Sequence, residues 1–71
     1  MAKRDLEITI LRRGRPEDEL DMHADPDNVP GLQAILRGWL EGEGWDPKLW
    51  AQFSADVRYA GANKIRRSVR T

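Results

Sequence analysis

Residues 29–40 read Val-Pro-Gly-Leu-Gln-Ala-Ile-Leu-Arg-Gly-Trp-Leu, and they carry the clearest hydrophobic periodicity in the chain. The apolar side chains recur at helical spacing, while Gln33 and Arg37 fall outside the apolar stripe. An Asp-Pro-Asp-Asn segment before this stretch offers N-cap side chains, and Gly42-Glu43-Gly44 after it supplies glycines for a C-cap. The pattern therefore predicts an amphipathic helix of about three turns.

Two runs with the alternation of half-buried strands precede this helix. Their apolar positions are Leu6, Ile8 and Ile10 in the first run and Leu20, Met22 and Ala24 in the second. The segment between the runs contains Gly14 and Pro16, which favour a turn. We therefore expect a β-hairpin, with the arginines near the turn facing acidic residues across the strands.

The last third of the chain fits two patterns. Residues 53–59 alternate between apolar and polar side chains, and Ile65 and Val69 continue an alternation beyond Gly61-Ala62-Asn63, which predicts a second hairpin. A helix that begins at Asp46-Pro47 is the competing interpretation. The favoured fold is of the α+β class, a small ββαββ domain with an antiparallel sheet and one amphipathic helix packed on one face. The alternative is ββαα with a basic C-terminal tail.

The chain has 71 residues, and we expect a single domain that spans residues 1–71. A domain of this size buries roughly 60% of the surface that its unfolded chain exposes, and no cysteine is present to form a disulfide. The predicted core consists of Leu6, Ile8, Ile10, Leu20, Met22, Leu32, Ile35, Leu36, Trp39, Leu40, Trp50, Phe53, Val57, Tyr59, Ile65 and Val69.

The sequence offers little for catalysis. The single histidine, His23, is flanked at strand spacing by Asp21 and Asp25, and a metal site would require these three side chains to converge. No fourth ligand is apparent, no nucleophile lies in a recognisable motif, and no phosphate-binding loop follows a strand. We therefore predict that the protein is not an enzyme, with no catalytic residue, cofactor or metal.

No hydrophobic run has the 18 or so residues that a membrane span requires, and the N-terminus lacks the apolar core of a secretory signal. A cytoplasmic location without membrane contact is the prediction. The formal net charge of zero hides a segregated distribution, because residues 17–27 carry six acids and no base, whereas residues 57–71 carry five bases and no acid. Local fields, and not the net charge, will therefore select partners.

The basic segment suggests two interpretations. Its members are Arg58, Lys64, Arg66, Arg67 and Arg70, and on one strand Lys64, Arg66 and Arg70 would share a face. Such a row could contact the phosphates of a nucleic acid. Alternatively, these side chains pair with the acidic residues 17–27, within the chain or in a second copy.

Trp45 is the aromatic residue that periodicity explains least, so it is a candidate interface anchor, although it could instead close the open end of the sheet. The functional prediction is a small, non-enzymatic protein-interaction module, and its size and composition suggest that a phage encodes it. It would dock on a host or virion protein or self-associate into an oligomer. The predicted partner-binding residues are Trp45, Arg58, Lys64, Arg66, Arg67 and Arg70, and a nucleic-acid-binding protein that uses the arginine row is the alternative.

Overall fold

A computed structural model describes residues 2–71. Strand β1 (Arg4–Arg12) and strand β2 (Arg15–Ala24) are followed by helix α1 (Val29–Gly42). A short 3-10 helix (Pro47–Gln52) then leads into strand β3 (Phe53–Tyr59) and strand β4 (Arg67–Arg70). The predicted ββαββ architecture of the α+β class is therefore confirmed.

The four strands form one antiparallel sheet in the order β2-β1-β3-β4. The first hairpin closes through Arg13 and Gly14, whose φ angles of 52° and 79° are both positive. Two consecutive residues with positive φ form the tight turn that matches the twist of paired strands. The register of β1 against β2 shifts between Ile10 and Leu11, which leaves Glu17 as an extra residue on β2.

Helix α1 covers one face of the sheet and forms the core with it. The N-cap is Asn28, whose side-chain oxygen accepts the Gly31 N–H at 3.1 Å, and the helix ends at Gly42 as predicted. Gly44 has a φ of 79°, and the Trp45 N–H returns to the Leu40 carbonyl at 3.0 Å. The buried apolar side chains are Leu6, Ile8, Ile10, Leu32, Leu36, Leu40, Phe53, Ala55, Val57 and Val69.

The predicted hairpin at the end of the chain is present, because β3 and β4 pair antiparallel, but its second strand is shorter than predicted. The strand predicted over residues 53–59 is confirmed, but the residues before it form the 3-10 helix, whose N-cap Asp46 accepts the Lys48 N–H at 2.9 Å. Strand β4 has only four residues, because the chain rejoins the sheet where the Arg66 N–H bonds the Val57 carbonyl. Ile65 therefore precedes the strand and is 46% exposed, so its assignment to the core was wrong.

Several other predicted core residues are only half-buried around the edge of the core. These are Leu20, Met22, Ile35, Trp39, Trp50 and Tyr59. Ala55 is also buried, although the predicted core did not include it. Among residues 2–71, no helix has both the length and the hydrophobicity that crossing a bilayer requires.

Candidate interaction surface along an edge strand

Arg58 lies on the face of the sheet opposite the helix, where acidic side chains hold it. Its Nη1 donates to the hydroxyl of Thr9 at 3.0 Å, and its Nη2 lies 3.5 Å from Glu19 and 4.0 Å from Glu7. The Arg58 side chain is 21% exposed. Its charge is therefore largely compensated within the domain.

Arg66 and Arg67 both turn toward the loop that precedes α1. Their Nη2 atoms lie 2.8 Å and 3.5 Å from the same Asp27 carboxylate oxygen, and the Arg67 Nε donates to the Pro26 carbonyl at 3.1 Å. The predicted row of Lys64, Arg66 and Arg70 on one strand is wrong, because residues 64 and 66 precede β4. Acidic residues of the segment 17–27 therefore form ion pairs with three of the five predicted basic residues, which are Arg58, Arg66 and Arg67.

Lys64 and Arg70 are both exposed, and within residues 2–71 neither has an ion-pair partner. Arg70 lies on β4 opposite Ser54, whereas Lys64 lies in the connection between β3 and β4. They are two separate exposed cations and do not form a continuous basic surface.

Trp45 packs back on the domain at the end of the sheet where α1 finishes. Its ring centroid lies 5.0 Å from that of Phe53, and the guanidinium of Arg12 lies 4.5 Å above the Trp45 ring. The Trp45 carbonyl accepts the indole N–H of Trp50 at 3.0 Å. Trp45 is half-buried, and its use as an interface anchor stays a prediction.

His23 does not converge with the two aspartates that flank it in sequence. Its Nδ1 lies 2.9 Å from Oδ1 of Asp5, which faces it from β1. Over the part of the chain that the structure describes, no three or more His, Cys, Asp or Glu side chains are placed to hold a metal ion.

The longest exposed backbone edge of the molecule belongs to β2. This strand has ten residues and pairs only with β1, whereas β4 at the opposite edge has four residues. An edge strand presents unpaired N–H and C=O groups that can hydrogen-bond another extended chain. The edge of β2 is therefore the first candidate surface.

The register identifies which groups of β2 are free. The Asp5 carbonyl accepts the Ala60 N–H at 3.0 Å, so the odd-numbered residues of β1 point toward β3. Because backbone groups alternate in direction along an antiparallel strand, the even-numbered residues of β1 point toward β2 and meet even-numbered residues there. Glu19, Asp21 and His23 consequently direct their backbone N–H and C=O groups away from the sheet.

The carboxylate of Asp18 occupies one backbone donor of this edge. The Oδ1 of Asp18 accepts the outward N–H of Glu19 at 2.8 Å, and its Oδ2 accepts the indole N–H of Trp39 at 2.8 Å. We call this arrangement the Asp18 clasp. It ties the edge strand to α1 and occupies the Glu19 N–H, so that the outward N–H groups of Asp21 and His23 are the accessible donors of these three residues.

The helix side of β2 is apolar and incompletely covered. Leu20 and Met22 are half-buried on this side, as are Ile35 and Trp39 of α1. An open groove of about 440 Å³ lies beside the start of the helix, where it is lined in part by Ala24 and Ile35. A strand added beside β2 would place its own side chains next to this apolar row and would reduce the exposure of the row to water.

The other side of β2 is acidic. Asp21 lies directly opposite Glu7 of β1, and within residues 2–71 no basic group forms an ion pair with Asp21. Glu19 on the same side receives a hydrogen bond from Thr9 at 2.9 Å in addition to its pairing with Arg58. The negative charge of this side is therefore only partly neutralised.

The alternation of residues 20–24 predicted a strand, but it could not predict that this strand lies at an edge with its partner side empty. The sheet order places β1 between β2 and β3, and that order comes from long-range packing. The surface can hydrogen-bond an extended chain, cover apolar side chains and attract positive charge. No protein-family model, curated protein or solved structure matches this chain.

Proposed function

We propose that this chain is a non-enzymatic protein-interaction module that binds an extended segment of another protein as a fifth strand beside β2. The observation that carries the proposal is the outward backbone of Asp21 and His23 next to the half-buried apolar row of Leu20 and Met22. In strand addition the backbone hydrogen bonds provide affinity, and pockets for alternate side chains provide specificity. The outward backbone groups of β2 support the first component, and the open groove beside Ala24 and Ile35 supports the second.

The charge of β2 argues for a partner other than a second copy. In an antiparallel pairing of two β2 strands, the acids of one copy lie close to the acids of the other, and like charges across strands are destabilising. A segment of a different protein carries no such penalty. If the chain is phage-encoded, as its composition suggested, that protein belongs to the host or to the virion.

Nucleic-acid binding is the second candidate, and it draws on the exposed cations Lys64 and Arg70. Arg58, Arg66 and Arg67 support it less, because acids of the same chain already face them. It predicts a mobility shift that weakens steeply between about 50 and 200 mM salt and that Lys64→Glu with Arg70→Glu removes. The absence of a shift at low salt would exclude this candidate.

The proposed strand addition is tested by selecting extended peptides from a yeast-displayed library on the immobilised protein. Peptides that bind should slow the hydrogen exchange of the Asp21 and His23 backbone amides. Asp21→Pro should abolish their binding, because it removes the outward N–H of Asp21. The fold should remain intact, because proline is tolerated on an edge strand. Asn63→Pro, in the exposed connection before β4, is the matched control and should leave binding unchanged. Peptides that bind without protecting these amides would contradict the proposal.

A further inference from the structure

Asp21 and Glu7 are neighbouring residues of like charge on the acidic side of β2. The two residues are directly opposite each other in the register of β1 and β2, a position at which like charges destabilise a sheet. Arg58 approaches Glu7 at 4.0 Å from the β3 side, but it forms no ion pair with Asp21. The open side of Asp21 is the outer edge of β2, where the partner strand would lie.

We propose that the segment bound at β2 carries a lysine or arginine opposite Asp21, with an apolar residue on each side of that base. This inference rests on the proposed function, and it specifies the chemistry of the partner. Side chains alternate between the two faces of a strand, so the residue opposite Asp21 lies on the acidic side. Its two neighbours lie on the helix side, opposite Leu20 and Met22.

Each part of this apolar-basic-apolar motif meets a separate feature of the surface. The base lies beside Asp21 and reduces its repulsion with Glu7. The two apolar side chains cover the half-buried row of β2 and extend toward the groove at Ile35. An acidic residue at the central position would add a third carboxylate to the pair and would be rejected.

The experiment uses two synthetic nine-residue peptides of alternating threonine and valine that differ only at the central position, which is lysine in one and glutamate in the other. Binding is followed by the exchange protection of the Asp21 and His23 amides and by titration of their NMR signals. The lysine peptide should bind about tenfold more tightly, since one attractive cross-strand pair replaces one repulsive pair.

Two variants at residue 21 test the origin of this preference. Asp21→Lys should reverse it in favour of the glutamate peptide, and Asp21→Asn should reduce it to about twofold or less. If both peptides protect the β2 amides equally, or if the preference survives in Asp21→Lys, the inference is overturned while strand addition stands. If neither peptide protects these amides, strand addition at β2 is itself overturned.

Discussion

The carboxylate of Asp18 accepts the indole N–H of Trp39 at 2.8 Å, although 21 residues separate the two in sequence. The same carboxylate also accepts the N–H of Glu19 at 2.8 Å. One side chain therefore joins the outer strand of the sheet to the helix and occupies a backbone donor that would otherwise be free.

We expect Asp18→Ala to lower the free energy of unfolding by about 0.5–1.5 kcal/mol, because two hydrogen bonds are lost at an exposed site. Trp39→Phe removes the indole donor and keeps an aromatic ring in the packing. A double-mutant cycle between the two changes, measured by urea unfolding, should give a coupling of about 0.5 kcal/mol or more. Strictly additive effects would contradict a direct Asp18–Trp39 interaction.

Asp21→Lys should stabilise the free protein by about 0.2–1 kcal/mol, because it replaces the repulsion with Glu7 by an attractive cross-strand pair. Thermal unfolding at low salt checks this increase. Glu17→Lys carries the same change in charge but lies beside Arg12, Arg13 and Arg15, so it should not stabilise. Equal effects of the two variants would assign the increase to net charge instead of the Glu7 pairing.

Arg12→Ala should lower the free energy of unfolding by about 0.5–2 kcal/mol, since it removes the cation-π contact with Trp45. It also removes the hydrogen bond from the Arg12 Nε to Gln52, which is 2.9 Å long. Arg13→Ala is the matched control at an exposed neighbouring position and should change stability by less than about 0.5 kcal/mol. Urea unfolding of both variants compares them directly, and equal losses would show that the stacking on Trp45 contributes nothing.

Leu36→Ala should lower the free energy of unfolding by about 2–5 kcal/mol, because the Leu36 side chain of α1 is fully buried in the core. Ile65→Ala should cost less than about 0.5 kcal/mol, because Ile65 is 46% exposed. Thermal unfolding followed by far-ultraviolet circular dichroism measures both. A large loss at Ile65 would mean that this side chain packs on the core.

The sequence predicted the parts of the fold that depend on local periodicity. The stripe of Leu32, Leu36 and Leu40 predicted α1, and the alternation from Phe53 predicted β3. Ile65 was misplaced because alternation alone does not reveal where a chain rejoins its sheet, which here happens at Arg66.

The candidate site was harder to predict than the fold. The basic residues were visible as a charge cluster, but the local sequence could not show that Asp27 would receive both Arg66 and Arg67. The free edge at Asp21 follows from the strand order, which arises from contacts between residues about fifty positions apart. The pairing of Glu7 with Asp21 depends on the same register and has no signature in either segment alone.

The place of β1 in the middle of the sheet has a consequence for the order of folding. Its second neighbour, β3, spans Phe53–Tyr59, so β1 cannot become an interior strand until residues 53–59 have left the ribosome. Forming the non-local β1–β3 pairing requires a long loop to close, and such closure slows folding. Until that pairing forms, the apolar face of the first hairpin lacks its neighbours from β3 and is exposed to chaperones.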